Sequence, residues 1–347
     1  MRKILFLVLA GLQIKAAIAQ GHTPPYLQKS LSGESLSRME LQTTGGNISV
    51  TGVPASEARL EVYIWGNHGN DDRDLSKEEI EKRLNEQYDL TITVNDHKLT
   101  AIAKPKVRNM NWRKGLTISF KAYVPQAVSS NLQTSGGNIS LKNLTGATQD
   151  FHTSGGNLDI DLVSGKLTGR TSGGNISLTD SKDEIDLQTS GGNIEAANCQ
   201  GNLRLGTSGG NLSLRLLKGT IHATTSGGSV TGEEVTGELQ TRTSGGNIRL
   251  RDLSCSLSAS TSAGNIDVEM KEAGKYLTLS TSGGNVALQL PHGKGMDLQL
   301  YGEEVKASSL DNFKGQLDGK HIDGAINGGG MPVKVDNSGG RISLSFK

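Results

Sequence analysis

Apolar and polar residues alternate along most of the chain around one recurring phrase, Thr-Ser-Gly-Gly-Asn followed by Ile, Leu or Val. Intact or degraded copies of the phrase begin at Thr43, Thr134, Thr153, Thr171, Thr189, Thr207, Thr225, Thr243, Thr261, Thr281 and Asn337. Every step from Thr153 to Thr261 is 18 residues. A fixed period of this length indicates that each unit is one turn of a stacked array.

Within a unit, counted from its threonine as position 1, apolar residues fall mainly at positions 6, 8, 11, 15 and 17. In the unit from Thr207 these are Leu212, Leu214, Leu217, Ile221 and Ala223. Pairs two residues apart predict short strands with one buried face, and no continuous apolar face supports a helix. The pattern therefore predicts an all-β fold, a parallel β-solenoid (β-helix) with rungs of about 18 residues.

Two bends are needed in each rung to connect its strands. We expect the Gly-Gly pair to form the first bend, because glycine adopts a positive φ without steric cost. The second bend is expected near position 13, where glycine recurs at Gly146, Gly165, Gly201, Gly219 and Gly237.

The repeat is absent between Pro54 and Thr134, so we expect residues 36–130 to form an N-terminal rung with a small α/β capping insertion. Strands are expected over residues 59–65, 90–94, 98–103 and 116–124. Ser76 begins a Ser-x-x-Glu capping box, and Ile80, Leu84 and Tyr88 follow at four-residue spacing on one face of a single amphipathic helix of about three turns. Such an insertion would cover the exposed strand edge at the end of the stack.

The repeat array is expected to occupy residues 131–347. After Thr281 the next copy of the phrase begins 56 residues later, at Asn337. Because this gap equals three 18-residue rungs plus two residues, we expect the stack to continue through it with a weaker motif.

Residues 1–19 resemble a secretory signal, with Arg2 and Lys3, an apolar run and a small-x-small cleavage site that ends at Ala19. Residues 20–35 are rich in Pro, Gly and Ser, and we expect a flexible lead-in. No later apolar run approaches the roughly 20 residues of a membrane-spanning helix, and the residue directly after the cleavage site is Gln20 and not the cysteine that would carry a lipid anchor. The mature chain is thus expected to be exported to the periplasm, the outer-membrane surface or the extracellular space, without a transmembrane segment.

Composition and charge narrow the choice of core and partner. The chain has 46 Gly but only 5 Phe, 6 Tyr and 2 Trp, which favours thin layers of Ile, Leu and Val over an aromatic core. Its net charge is +1, and removal of the signal with its three basic residues leaves −2. Since the charges are well mixed, no nucleic-acid partner is expected.

Cysteine occurs twice, as Cys199 and Cys255, in units three rungs apart. At about 4.8 Å per stacked strand the two residues would be roughly 14 Å apart. A disulfide requires Cα atoms within about 7 Å, so we expect two free thiols. Cys199 lies at position 11, where related units have Leu or Val, and we interpret it as a core residue.

The asparagines of the phrase form a column of their own: Asn138, Asn157, Asn175, Asn193, Asn211, Asn247, Asn265 and Asn285. We expect their amides to stack at strand spacing and to hydrogen-bond one another, and we call this column the Asn ladder. Because Ser229 interrupts it without loss of the period, a structural role is favoured over a row of ligand contacts.

Calcium binding has two candidate patterns. The nine-residue calcium repeat needs Asp after its glycines, where this chain has Asn. The second pattern consists of Asn70, Asp72, Asp74, Ser76, Glu78 and Glu81, which have the spacing of a helix–loop calcium site. Since Leu75 stands where the turn requires Gly, we favour a solvated loop with a helix cap and expect no metal or other cofactor.

Two further functions are kept as alternatives. A polysaccharide-active β-helix enzyme, lyase or hydrolase, would need paired carboxylates on one outward face. The acidic pairs 183–184 and 233–234 are 50 residues apart, which is not a whole number of rungs, and the seven His show no metal-ligand spacing. An ice-binding protein would need a flat outward row of Thr, but Thr and Ser of the phrase are adjacent and must face opposite ways.

Four features together resemble a family of bacterial secreted proteins described as adhesin-like β-strand repeats with a domain of unknown function. These are the TSGGNI-type phrase, the helix-containing insertion, the run VPQAVSSNLQTSGGNISL after Tyr123, and the segment GAINGGG at 324–330. The resemblance covers about residues 36–347. It implies a parallel β-solenoid at the cell envelope and an adhesive role, and it brings no catalytic residues.

The sequence therefore predicts a non-enzymatic, secreted cell-envelope β-repeat protein. It would act as an adhesin, a scaffold or a ligand-binding surface toward an envelope or extracellular protein or glycan. Recognition is expected on the variable outward positions or on the helical insertion, since the phrase itself builds the stack.

Overall fold

The computed structural model describes residues 24–67, 75–106, 115–308 and 310–347. Within these ranges the strands are β1 (Leu27–Ser30), β2 (Arg38–Gln42), β3 (Ile48–Val53), β4 (Arg59–Gly66), β5 (Tyr88–Asn95), β6 (Lys98–Pro105), β7 (Leu116–Pro125), β8 (Ser129–Gln133), β9 (Ile139–Leu144), β10 (Thr148–His152), β11 (Leu158–Arg170), β12 (Ile176–Thr179), β13 (Lys182–Thr189), β14 (Ile194–Ala197), β15 (Gln200–Thr207), β16 (Leu212–Arg215), β17 (Lys218–Thr224), β18 (Val230–Glu233), β19 (Thr236–Arg242), β20 (Ile248–Thr261), β21 (Ile266–Thr281), β22 (Val286–Leu290), β23 (Met296–Tyr301), β24 (Glu304–Ala307), β25 (Lys314–Leu317), β26 (His321–Ile326), β27 (Met331–Asn337) and β28 (Arg341–Phe346). One α-helix, α1 (Lys77–Gln87), and a 3-10 turn (Ala55–Glu57) complete the described elements. The predicted all-β class is confirmed.

Strands of successive units pair in parallel, which gives the chain a β-solenoid-like fold. Ile176 pairs with Ile194, and Ile194 pairs with Leu212. On the second strand of each unit, Leu203 pairs with Ile221. Paired residues in this region are 18 apart in sequence, so equivalent positions lie directly above one another.

Stacked aliphatic side chains form the core between the two strand columns. In the unit from Thr207, all five apolar positions are buried: Leu212, Leu214, Leu217, Ile221 and Ala223. Residues between them point outward, because side chains alternate across a strand. Cys199 and Cys255 are buried in the same core and their thiols are free, as predicted.

The threonine that begins ten of the eleven copies of the phrase is buried and links neighbouring units. Thr207 Oγ1 donates a hydrogen bond of 2.8 Å to the carbonyl oxygen of Gly192, in the preceding unit. The same bond recurs from Thr153 to Gly137 and from Thr243 to Gly228. Because this row of hydroxyls faces inward, it offers no outward Thr surface of the kind that ice binding requires.

The Gly-Gly bend has a different cause from the one expected. Neither glycine of the pair has a positive φ. The second glycine is required because a Cβ at Gly192 would lie 2.0 Å from the carbonyl oxygen of Gly174. The first glycine has room, since the nearest atom to a Cβ at Gly191 would be 3.6 Å away. Ala263, which replaces the first glycine in its unit, fits this difference.

At the N-terminal end, the order of strands in space differs from their order in the chain. β2 lies between β6 and β8, and β3 lies between β7 and β9. The layer made by β6 and β7 is therefore outside the first copy of the phrase. Antiparallel strands continue outward, β5 on β6 and β4 on β7, and β1 pairs with β4.

Two expectations for this end need correction or detail. Residues 20–35 are not a loose lead-in throughout, because β1 forms four pairs with β4 over residues 27–30. The helix α1 begins where the capping box predicts, with Ser76 Oγ accepting from the Glu79 backbone N–H at 3.3 Å. The reciprocal half of the box is replaced, since the Glu79 carboxylate pairs with Arg83 at 2.7 Å. The helix ends at Gln87, so Tyr88, which was expected on the helix face, begins β5 instead.

At the C-terminal end, too, the order of strands in space differs from their order in the chain. Thr281 pairs directly with Asn337, so β27 and β28 follow β21 and β22 in the stack. β23 and β24 then pair on the outside of β27 and β28, and β26 and β25 add antiparallel strands beyond β23. The 56 residues of the gap therefore do not form three successive rungs in chain order, although their number equals three 18-residue rungs plus two residues. The phrase forms one column in space, and the residues between its last two copies fold around the end.

Candidate functional site

The second bend of each unit has an unexpected backbone. Position 10 has φ between 49° and 58° in seven successive units: Asn143, Leu162, Asp180, Asn198, Leu216, Glu234 and Asp252. Three residues later, Gly165, Gly201, Gly219 and Gly237 have φ between 102° and 127°. The glycine bend was predicted from the sequence, but the left-handed column at position 10 was missed. The signal for it was the recurrence of Asn and Asp, which tolerate this conformation.

A groove runs along these bends across several units. One wall is the position-10 column, and the other is the position-12 column with Lys182, Gln200 and Lys218. Its floor consists of the buried position-11 residues Ser181, Cys199 and Leu217. The groove has a volume of about 590 Å³, within the range of about 300–1,000 Å³ that is typical of ligand sites. We refer to it as the bend groove.

Two leucines in the wall of the bend groove are exposed to solvent. Leu162 is 50% exposed and Leu216 is 41% exposed. Both have left-handed backbones, which cost an L-residue other than Asn, Asp or Gly roughly 1–2 kcal/mol. Their neighbours in the column, Asp180 and Asn198, are of the residue types that avoid most of this cost and contact one another through their side chains.

Charges of both signs line the bend groove. Asp180, Glu234 and Asp252 lie on the position-10 wall, and Lys182, Lys218 and Lys271 also line the groove. Thr236 and Ser254 continue the opposite wall as neutral hydroxyls. The groove therefore offers hydrogen-bond donors, acceptors and two apolar side chains along successive units, and its acidic and basic residues are equal in number.

The buried thiol of Cys199, in the floor of the bend groove, is unreactive at neutral pH. Cys199 Sγ lies 3.1 Å from the carbonyl oxygen of Ala197, and burial raises the pKa of this thiol to about 11. Burial raises the pKa of Cys255 to about 12. Since both thiols stay protonated at neutral pH, neither is a nucleophile.

The Asn ladder lies on the outside of the other bend, and all eight side chains are exposed. The hydrogen bonds differ from the expected amide-to-amide contacts, because each side-chain Oδ1 accepts from the backbone N–H of the next unit. Thus Asn175 Oδ1 accepts from Asn193 N–H, and Asn193 Oδ1 from Asn211 N–H, both at 2.8 Å. Ser229 replaces the amide with its hydroxyl, at 3.2 Å from Asn247 N. The column extends from Ser119, which accepts from Asn47 N–H, to Arg341.

The other sequence candidates are not brought together. Asn70, Asp72 and Asp74 of the calcium pattern lie outside the described residues, as do Ala19 and the signal. Within the described ranges, no group of three or more His, Cys, Asp and Glu has the arrangement of a metal site. Among the same residues, no helix has the length and apolar character needed to cross a bilayer.

The fold and the groove together define a β-solenoid-like repeat protein with a lengthwise surface cleft. The family model Toastrack DUF4097 matches residues 36–234 and 219–345. The chain therefore belongs to the Toastrack DUF4097 family, in agreement with the adhesin-like family of unknown function that the sequence resembles.

The chain also matches solved structures, each at low sequence identity. A candidate cell adhesion protein from Clostridium sporogenes ATCC 15579 is 11% identical, with a TM-score of 0.19, and the match covers 92% of this chain and 98% of that chain. A candidate adhesin from Bacteroides fragilis NCTC 9343 is 13% identical, with a TM-score of 0.36 and coverages of 92% and 95%. A candidate lipid binding protein from Parabacteroides distasonis ATCC 8503 is 12% identical, with a TM-score of 0.29 and coverages of 91% and 95%. No curated protein matches the chain significantly.

Proposed function

We propose that this protein is a non-enzymatic, exported envelope protein that binds an extracellular or envelope ligand, protein or glycan, in the bend groove. The observation that carries the proposal is the pair of exposed leucines, Leu162 and Leu216, on left-handed backbone. Exposed apolar side chains at strained positions lower stability, so a ligand contact is the best account of their presence. The adhesive role implied by the sequence resemblance agrees with this surface.

The shape of the bend groove favours a linear ligand. Leu162 and Leu216 are three units apart, which at about 4.8 Å per strand is roughly 14 Å along the stack. Between them lie the polar side chains of Asp180 and Asn198. An extended polymer could therefore place apolar groups on both leucines and polar groups on the residues between them. On this proposal each 18-residue unit is one full turn of a parallel β-solenoid. Residues 36–130 form an N-terminal rung with its capping insertion, and residues 131–347 form the repeat array.

A binding screen with matched variants tests the proposal. The purified chain is applied to arrays of glycans and of envelope and matrix proteins, beside the double variant Leu162→Asn, Leu216→Asn. We expect the variant to lose at least tenfold in affinity for the captured ligand while its melting temperature rises, because asparagine relieves the backbone cost. The control Leu317→Asn removes a leucine that is 59% exposed outside the groove and should leave binding unchanged. Equal binding by the double variant would contradict the proposal.

An enzyme on the same scaffold is the second candidate, because Glu234 and Asp252 occupy the same wall in neighbouring units. A glycan-cleaving pair needs one carboxyl that stays protonated, usually by burial. Glu234 is exposed and Asp252 is half-buried, so neither carboxyl of this pair is buried. Cleavage of any glycan in the array, lost in Glu234→Gln, would nevertheless replace the binding proposal with an enzymatic one.

A further inference from the structure

The outermost strand at the N-terminal end of the stack differs from the other strands at the ends. β5 is eight residues long and pairs only with β6 among the described strands. Its other edge therefore presents backbone donors and acceptors without a strand partner in this part of the chain. Exposed edges of this kind pair readily with another chain.

The remaining outer strands carry the features that usually prevent such pairing. β1, β24 and β25 are four residues long, and each contains a lysine: Lys29, Lys306 and Lys314. Short strands and lysine both weaken edge-to-edge association. β5 contains no Lys, Pro or Gly, and its sequence YDLTITVN is rich in β-forming residues.

The residues of β5 are nearly symmetric about Ile92. Thr91 and Thr93 flank it, Leu90 mirrors Val94, and Asp89 mirrors Asn95. An antiparallel pair of two such strands with its twofold axis at Ile92 would place Thr opposite Thr and Leu opposite Val. The only charged residue, Asp89, would face an amide and not another carboxylate. The strand is thus complementary to itself, which is the requirement of a twofold interface.

The apolar face of β5 also has surface left to bury. Leu90, Ile92 and Val94 pack against the core but remain half-exposed. They continue the inner face of β6, where Ala103, Ala101 and Leu99 are fully buried. A further strand beyond β5 would therefore extend the same inner layer. The Tyr88 side chain, hydrogen-bonded to the Leu116 backbone N–H and carbonyl, fixes the start of β5 on the stack.

From these observations we propose that a second copy of this chain pairs antiparallel with β5 about Ile92, joining two stacks by their N-terminal ends. This dimer is independent of the bend groove, which lies on the flank of the array.

Light scattering coupled to size exclusion tests the dimer. The purified wild-type chain should show a dimer whose fraction rises with protein concentration. The variant Thr91→Lys, Thr93→Lys places lysines opposite lysines and should weaken the dimer by about tenfold or more. The variant Thr91→Glu, Thr93→Glu should behave in the same way. A mixture of the two variants should dimerise again, because each lysine then faces a glutamate.

Controls separate pairing from general effects of charge. Thr220→Lys with Thr224→Lys adds the same charge to exposed positions of β17, in the middle of the array, and should leave the dimer intact. Retained dimerisation of the β5 lysine variant, failure of the mixture to dimerise, or a monomeric wild type at every concentration would each overturn the proposal.

A cysteine scan checks the register. Residues directly opposite in an antiparallel pair have Cα atoms about 4.5–5.5 Å apart, within the range of a disulfide. Ile92→Cys should therefore form a covalent dimer on oxidation, whereas Leu90→Cys, opposite Val94, should not. The native thiols are buried and do not compete. Cross-linking through Leu90→Cys alone would contradict the proposed axis.

Discussion

The second glycine of each phrase occupies a place where no side chain can fit. A Cβ at Gly192 would overlap the carbonyl of Gly174, whereas Gly191 has space for one. We expect Gly192→Ala to destabilise the protein by about 3 kcal/mol or more, because the backbone of two units would have to separate. Gly191→Ala should change the free energy of unfolding by less than about 1 kcal/mol. Urea denaturation followed by circular dichroism measures both, and equal losses would refute the steric explanation.

The two buried thiols predict a response to alkaline pH. Burial raises the pKa of Cys199 from its ordinary value of 9.0 to about 11 and that of Cys255 to about 12. The folded state thus holds protons that the unfolded state releases above pH 9, and stability is lost as pH rises toward these folded values. The urea midpoint should fall more steeply above pH 9 in the wild type than in Cys199→Ala, Cys255→Ala. A thiol reagent at neutral pH should label both cysteines only after unfolding, and labelling of the folded chain would contradict their burial.

At the scale of single residues, the sequence predicts which positions are buried but not every backbone conformation. The inward positions of each unit were predicted correctly, because alternation in a strand depends only on the sequence itself. The left-handed backbone at position 10 was not predicted, because Leu216 and Glu234 are not residue types that usually adopt a positive φ. The steric need for the second glycine was also hidden, since it depends on the carbonyl of the neighbouring unit and not on local φ.

Among the elements, the Asn ladder connects units along the outside of the first bend. In the structure each amide oxygen accepts one backbone N–H of the next unit, which otherwise would bond only to water. Asn193→Ala should therefore cost about 1 kcal/mol, because the hydrogen bond that its Oδ1 accepts from the Asn211 N–H is lost. Ser229→Asn should have the opposite sign, a gain of a few tenths of a kcal/mol, since the present Ser229 bond is the long one at 3.2 Å. Thermal melts of both variants test the structural role, and a loss of stability in Ser229→Asn would argue against it.

Strand order shows what a repeat pattern can and cannot convey. The phrase at Asn337 was correctly recognised as a member of the array, because its residue types match. Which unit this copy pairs with could not be deduced from the sequence. Thr281 pairs with Asn337 only because the strands between them in the chain lie on the outer side of β27 and β28. The sequence period shows which residues belong to the stack, whereas the tertiary fold determines which unit each of them stacks on.

At the scale of the whole molecule, the last strands are internal parts of the stack. β27 and β28 each lie between two other strands, so residues 331–347 do not form a dispensable tail. Deletion of these residues should lower the melting temperature sharply, because β21 and β22 lose their partners and β23 and β24 are left unattached. Differential scanning calorimetry measures the effect. A truncated chain that melts like the full-length protein would show that β23 and β24 can replace the missing layer.

The strand order at the two ends also limits where units can be added to the chain. Units added before β2 or after β28 would meet strands that already pair on both sides, and the ends could not close. A duplicated unit between Thr153 and Thr261 would instead make the same contacts with the units above and below it. These are the threonine hydrogen bond, the close approach at the second glycine and the asparagine hydrogen bond. Each duplication would lengthen the stack and the bend groove by about 4.8 Å while both ends stay unaltered. Duplication of internal units is thus a change that could lengthen the bend groove and leave both ends of the stack intact.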